Sequence, residues 1–442
     1  MTTIDIEWKH TCGTVRPLHG MNLGAPITNM ATSTSISKSL SCLEVPLTRM
    51  HDCPLNNPGM RLVDIPCIFP FFDADPSKPE NYYFSQTDDY LKNCLEYGTK
   101  IMYRLGVSIE HSRNHYWTKP PEDYKKWAEI CAQIIRHYNE GWANGFHWNI
   151  EYWEIWNEAD TELPQLWDGT WSEFINFYIE TSLILKNHFP HLKIGGPSMA
   201  KLNTGNGKAA REFLEGCHNA GAPLDFFSWH QYSDKPHKII KSPAQAKALL
   251  EEFGYGSTEL HLTEWHYHLG WGSDCDKPRA KLLGQMMVGP DSAAYLAAVL
   301  IGWQDTPLTM GHYYTGSSSS SGYALFDPLG IPTCGYYAFE YFNRLVRQSK
   351  RIQTSSSDPD TYVIATRNDN SMLVLASSFK TEQGEVQFNF EGLNIVADKC
   401  KIHIIDFEGV PKVITKEITF GKNSIAIEKT SGSALLLVEY NV

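Results

Sequence analysis

From Leu43 to about Gly311 the sequence alternates between short apolar stretches and longer segments whose apolar residues recur at helical spacing. "LEVPLTRM", "KIMYRLG", "EYWEIWN", "LKIGGP", "LDFFSWH", "ELHLTEW" and "LTMGHYY" have the length and residue types of strands. Between them lie "TDDYLKNCLEYG", "PEDYKKWAEICAQIIRHYNEG", "SEFINFYIETSLILKNHF", "AAREFLEGCHNAG", "PAQAKALLEEFG" and "DSAAYLAAVLIGW". In the second of these, Trp127, Ile130, Cys131, Ile134, Ile135 and Tyr138 fall on one helical face, with Pro121 near the start and Gly141 at the close. An early strand near "PLHGMNL" brings the strand count to about eight. Repeated strand–helix units imply a parallel sheet, and eight of them imply a closed (β/α)8 TIM barrel. An open doubly wound sheet is the alternative, but "HGMNLGAP" does not fit the G-x-G-x-x-G loop that usually follows its first strand.

The texture changes near residue 345. "TGSSSSSGY" follows the last barrel strand and is placed at the barrel mouth, and "CGYYAFEYFNRLVRQ" reads as a helix with one aromatic face. From Asp360 onward come short strands separated by turn residues, among them "TYVIATRNDN", "SMLVLASSFK", "EVQFNFEG" and "GSALLLVEY". The expected organisation is an α/β chain with a (β/α)8 barrel over 15–345 and an antiparallel β-sandwich over 346–442. Residues 1–14, with "TTIDIEW", cross over to complete the sandwich. The sandwich also offers a surface for homo-oligomer formation.

Composition narrows the partners. The formal net charge is −12 and there is no Lys/Arg run, so a nucleic-acid backbone is not the expected partner. No stretch of 18 apolar residues exists, which argues against a membrane span. "MTTIDIEWKHTCGTV" lacks the basic and apolar regions of a signal peptide, and the 10 Cys form no CxxC pair. Cys42, Cys53 and Cys67 are close enough to form a framework, but the expectation is reduced thiols and a cytoplasmic chain. The 13 Trp belong either to the core or to flat platforms on which sugar rings stack.

In a (β/α)8 barrel the active site lies at the C-terminal ends of the strands. Here those ends are polar. "YWEIWNEAD" finishes in Asn157, Glu158 and Asp160, and "ELHLTEW" runs to Glu264. The same rule adds Arg49 and His51 on the second strand, His230 and Tyr232 on the sixth, and Trp303 just before the eighth. Two facing carboxylates are what glycosidic-bond hydrolysis requires: one protonates the leaving oxygen, and the other attacks the anomeric carbon or activates water. Glu158 and Glu264, on strands four and seven, face each other across the mouth. Asn157 can hold the sugar 2-hydroxyl. Tyr232 and Arg49 can keep Glu264 ionised, His230 completes the polar wall, and Trp303 is a candidate floor.

A lone strand-end Glu pairs with Arg or caps a helix as readily as it catalyses, so the weight rests on the pair. A rival reading places zinc on His230, His261, His266 and His268. His261 lies three residues before Glu264, so strand parity turns it to the opposite face. His266 and His268 read as loop residues flanking the site. No metal and no cofactor are therefore expected. A non-catalytic sugar-binding protein would normally have lost one carboxylate, and both are present.

"WNEAD" together with "LTEWH" resembles clan A of the glycoside hydrolases, whose members carry Asn-Glu at the end of strand four and a nucleophile Glu at the end of strand seven. "VPLTRMHD", "LDFFSWHQY", "HLTEWHYH" and "YALFDPLGIPTCGYYAFEYFNRL" make the chain most similar to family 39, with its β-xylosidases and α-L-iduronidases. The resemblance implies Glu158 as acid/base, Glu264 as nucleophile, Asn157 as the 2-hydroxyl partner, and His230 and Tyr232 in the substrate wall. It implies a retaining, exo-acting β-xylosidase-like enzyme acting on an oligosaccharide or glycoside. A galactoside, arabinoside or iduronide substrate, or endo action on a polysaccharide, stays open. Ala159 stands where the family usually has Pro, and Thr333 and Cys334 replace the Lys-Pro of its late motif.

Overall fold

A computed structural model describes residues 1–23, 36–53, 62–110, 115–161, 166–269, 286–318, 322–393, 399–406, 412–417 and 423–441. The first strand, β1 (Thr2–Thr14), stands apart from the eight that follow. These are β2 (His19–Asn22), β3 (Leu47–Met50), β4 (Lys100–Leu105), β5 (Tyr152–Ile155), β6 (Lys193–Met199), β7 (Phe226–Ser233), β8 (Glu259–Tyr267) and β9 (Met310–Tyr313). They pair in parallel in chain order, and β2 returns to β9 with His19 opposite Gly311, which closes the barrel. Helices return the chain from each strand end to the next start. Two of them open on side-chain caps: Asp123 accepts from Lys126 N, and Thr170 forms a capping box with Glu173.

The barrel interior is layered by strand alternation. Leu47, Met102, Tyr152, Phe226 and Met310, each at or near the start of its strand, form one apolar cluster at the barrel bottom. Two residues further along three of those strands come Arg49, Arg104 and Glu154, all fully buried. The interior is therefore apolar below and charged above, and the charged layer is the base of the mouth.

Some boundaries differ from the sequence reading. Only Leu47–Met50 of "LEVPLTRM" is strand, because the short helix Ser37–Leu43 takes up its beginning. The helix expected from Pro243 spans Pro236–Glu252 and carries Pro243 in its interior. Helix Pro290–Gly302 is buried on every side from Ser292 to Ile301. It lies between the barrel wall and a second sheet, so it needs no polar face.

That second sheet holds β1 with β10 (Lys350–Ser356), β11 (Thr361–Arg367), β12 (Ser371–Ser378), β13 (Gly384–Glu391), β14 (Lys399–Ile405), β15 (Lys412–Glu417), β16 (Ser424–Lys429) and β17 (Ala434–Asn441). The spatial order is β15-β14-β17-β12-β11-β10-β1-β13-β16. The sheet is mixed, not purely antiparallel as expected: β1 arrives from the other end of the chain and pairs antiparallel with β10 but parallel with β13. Ile4, Val374, Phe388, Ile402, Ile427 and Val438 share one core although their strands are far apart in that order, so the sheet curls over on itself. The opposite side packs on helix Pro290–Gly302, where the Ser377 hydroxyl donates to the Ala294 carbonyl at 2.5 Å.

No helix among the described residues is long and apolar enough to cross a membrane. No disulfide joins any of the described cysteines, Cys42, Cys53 and Cys67 included. Within the serine run, 319–321 lie outside the described residues.

Candidate active site

The charged layer is organised around Arg49. Its Nε donates to Glu154 Oε2 at 2.6 Å and its Nη1 to Glu264 Oε1 at 2.9 Å. Nη1 also donates to Asn22 Oδ1 at 3.1 Å, and Nη2 donates to Asn157 Oδ1 at 2.7 Å and Ser198 Oγ at 2.8 Å. The bonds to Glu154, Asn157, Ser198 and Glu264 join β3 to strands that are not its neighbours, so they cross the barrel interior and hold the strand ends together. A buried guanidinium between two buried carboxylates satisfies charges that would otherwise be very costly to desolvate.

Glu264 receives a further bond from the Tyr232 hydroxyl at 2.6 Å on Oε2. Glu158 Oε1 lies 2.6 Å from His230 Nδ1, and that nitrogen is 3.5 Å from Glu264 Oε2. One oxygen of each glutamate and the imidazole nitrogen all fall within 4.8 Å of one another. The backbone is unusual here: Asp52, Trp156, Glu158 and Ser198 have φ of 54°, 68°, 49° and 54°. Left-handed conformations of side-chain-bearing residues concentrate where a site must aim its groups.

The two glutamates sit in different fields. Burial raises the Glu158 pKa to about 8, with help from the negative charge of Asp160. Burial also raises that of Glu264, but the bonds from Arg49 and Tyr232 oppose the rise and favour its anion. Glu158 keeps 15% of its side chain exposed and Glu264 6%. Burial lowers the His230 pKa to about 4, so its imidazole is neutral.

Three buried donors of this layer have no protein hydrogen-bond partner among the described residues: Arg104 Nη1, and two that lie beside Glu158 and Glu264. One is Asn157 Nδ2, whose amide oxygen is taken by Arg49. The other is His51 Nε2. Arg104 Nε donates to His51 Nδ1 at 3.2 Å, which leaves the ring proton on Nε2. That nitrogen is 3.4 Å from Asp52 Oδ2 and 3.6 Å from Glu264 Oε1.

The structure thus brings Arg49, His51, Asn157, Glu158, His230, Tyr232 and Glu264 together, and it does not bring Trp303. Trp303 is fully buried outside the barrel wall. Its indole donates to the Ile239 carbonyl at 3.3 Å, meets Trp265 edge-on at 4.8 Å, and fills space that any side chain at Gly311 would invade. The residue caps the C-terminus of a helix that runs antiparallel to the strands, which puts it at the opposite end from the mouth. Just past the end of the eighth barrel strand stands Tyr314, whose hydroxyl donates to Asp52 Oδ2 at 3.0 Å.

The four-histidine zinc set does not assemble. His261 lies at the barrel bottom, 3.3 Å from His312 Nε2 and 3.4 Å from Glu259 Oε2. Parity is not what separates it from Glu264. Trp229 pairs with Leu262 and His230 with Glu264, so Thr263 is an extra residue that resets the alternation, and depth in the barrel keeps the two apart. His266 is a buried strand residue, not a loop residue, and its Nε2 bonds the Tyr313 hydroxyl at 2.7 Å. His268 bonds Tyr323 at 2.8 Å.

Strand-end reasoning also missed Ser198 and Asp52, and it named Asp160 without giving it a role. Ser198 ends an unremarkable "GGPS" run. Asp160 accepts from Ala200 N at 2.8 Å and the Thr204 hydroxyl at 2.6 Å, beside Glu158. Asp52 directly follows His51, and that adjacency was the signal that could have found it.

The chain matches the sequence profile described as Glycosyl hydrolases family 39 over residues 64–381. It is 24% identical over 316 residues to a beta-xylosidase of Caldicellulosiruptor saccharolyticus, a match covering 65% of this chain and 58% of that protein. It is 25% identical over 261 residues to a beta-xylosidase of Geobacillus stearothermophilus, covering 52% and 49%. The chain therefore spans about half the length of the curated relatives it matches. Among solved structures, a glucosidase from Croceicoccus marinus superposes with a TM-score of 0.80 at 20% identity, covering 100% of this chain and 99% of that one. A monomeric beta-xylosidase from Caulobacter crescentus CB15 gives 0.72 at 15% identity, with 99% of each covered. At such identities these likenesses speak to the fold alone. The profile match extends over more than half of the sequence, and on that ground the chain belongs to family 39 of the glycosyl hydrolases.

Proposed function

We propose that this chain is a retaining, exo-acting glycoside hydrolase that removes a terminal β-xylosyl or closely related neutral sugar. The observation that carries the reading is the pairing of Glu158 and Glu264. One oxygen of each lies within 4.8 Å of the other, the Glu158 carboxyl is raised to about 8, and Arg49 and Tyr232 favour the anion of Glu264 against its burial. Glu264 attacks the anomeric carbon while Glu158 passes its proton to the leaving oxygen. The glycosyl ester that forms removes the negative charge of Glu264. The Glu158 pKa then falls, and the carboxylate accepts a proton from the water that cleaves the ester. Asn157 Nδ2 and His51 Nε2, both unpartnered, are available to the sugar hydroxyls, the first to the 2-hydroxyl. Arg49 and Arg104 already pair with Glu154, Glu264 and Asp64, which favours a neutral sugar over a uronide. The choice of a β-xyloside and of exo action follows the beta-xylosidase relatives.

The test combines a nitrophenyl glycoside screen with azide rescue. Glu264→Ala with azide should give a glycosyl azide of inverted configuration, and Glu158→Ala with an activated leaving group should give the retained one. Exchanged outcomes would reverse the two roles. Inverted product from the unmodified enzyme would exclude the double displacement.

A further inference from the structure

Ser198, at the end of β6, touches most of the machinery while remaining fully buried. Its hydroxyl oxygen lies 2.8 Å from Arg49 Nη2, 2.8 Å from His230 Nε2, 3.2 Å from Asn157 Oδ1 and 3.4 Å from Thr263 Oγ1. Its carbonyl accepts the Glu158 N–H at 2.8 Å. The hydroxyl has one hydrogen to give. The neighbour that receives it decides which ring nitrogen of the neutral His230 carries the proton.

The two sides of that ring lie in opposite fields. Nδ1 faces Glu158 Oε1 at 2.6 Å and Glu264 Oε2 at 3.5 Å. Nε2 faces the Ser198 oxygen, which already accepts from the Arg49 guanidinium. The Glu158 carboxyl oxygen accepts at Nδ1 and the negative charge of Glu264 favours a proton there, and the nearby cation disfavours it at Nε2. Of the acceptors around Ser198, His230 Nε2 is nearer than Asn157 Oδ1, and that amide oxygen is already served by Arg49.

We propose that Ser198 donates its hydrogen to His230 Nε2 and so fixes the imidazole as the Nδ1–H tautomer, which donates to Glu158 Oε1 and keeps the acidic proton of Glu158 on Oε2. Ser198 is thus a positioning residue acting through His230. The consequence for catalysis rests on the glycosidase reading above, whereas the tautomer does not. No described residue hydrogen-bonds Glu158 Oε2, so a proton there is free to reach the leaving oxygen as the C1–O bond breaks. In the opposite tautomer Glu158 would donate to Nδ1 and its proton would be pinned against the ring. In the second half-reaction the same Nδ1–H supports the Glu158 carboxylate. Oε2 takes a proton from water, the oxygen of that water bonds to C1, and the ester to Glu264 breaks.

The experiment is long-range proton–nitrogen correlation on the full chain labelled with ¹⁵N-histidine, with the His230 signals identified by their loss in His230→Asn. A protonated Nδ1 and bare Nε2 are expected in the unmodified protein. Ser198→Ala and Ser198→Gly should both show a mixed or Nε2–H pattern. The glycine variant tolerates the positive φ, so agreement between the two assigns the change to the hydroxyl. On an alkyl β-xyloside, which needs acid assistance, both variants should lose about tenfold more kcat/KM than on a dinitrophenyl β-xyloside, which does not. An Nε2–H or doubly protonated ring in the unmodified protein would overturn the proposal. So would an unchanged tautomer in both variants, or equal losses on the two substrates. If the unmodified chain cleaved no glycoside, the functional reading would fail while the spectra still decided the tautomer.

Discussion

Replacing Glu158 by Gln should stabilise the protein, and increasingly so as the pH rises. The carboxyl has an ordinary value of 4.5 and is raised to about 8 in the folded state, chiefly by burial. A raised acid means that the folded chain binds more protons than the unfolded one between those two values, so stability falls as pH rises through that window. Below about pH 4.5 both states are protonated and the group costs nothing; above about pH 8 the penalty is complete. At 1.36 kcal/mol per pH unit the full penalty is about 5 kcal/mol, an upper figure, since a charged Glu158 would draw in water and rearrange. Unfolding entropy of about 2.1 cal/mol/K per residue gives about 0.9 kcal/mol/K for 442 residues, so the ceiling corresponds to about 5 °C in Tm. Gln keeps an oxygen for His230 and carries no charge. The assay is a set of thermal scans of both proteins from pH 4 to 9, with the difference in Tm opening between about pH 4.5 and 8. A difference that stayed flat, or a Gln variant that lost ground as pH rose, would refute the burial argument.

Two further outcomes follow from the same geometry. Asp160→Asn removes the charge that helps to raise Glu158, so the alkaline limb of the kcat/KM profile should move to lower pH; an unmoved limb would leave burial as the whole cause. Trp303→Phe should lower Tm through lost packing, by about 1–3 kcal/mol of stability, with KM unchanged, and a large rise in KM would return Trp303 to the mouth.

How much of this was legible beforehand depended on the range of the interactions involved. The barrel follows from local periodicity: strand-length apolar runs alternating with helical ones leave few closed solutions, and a polar residue at the end of such a run must face a mouth. Arg49, His51, Asn157, Glu158, His230, Tyr232 and Glu264 were found in that way. Trp303 was misplaced because adjacency to a strand does not say at which end of the barrel a residue lies. It closes a helix antiparallel to the strands, and Tyr314 stands just past the strand end. His261 was set aside on alternation, and the extra residue Thr263 breaks that alternation. Nothing in "GGPS" marks Ser198, and nothing in "YWEIW" says that Glu154 pairs with Arg49 across the barrel. The protonation of Glu158 is likewise absent from its neighbours in sequence, since burial and the charge of Asp160 set it. Periodicity is a property of consecutive residues, so the sequence by itself carries the fold and the rim of the site. Desolvation and cross-barrel hydrogen bonds depend on distances that exist only once the last strand has closed on the first, so the tertiary structure alone decides which of the rim residues hold charge and which hold them in place.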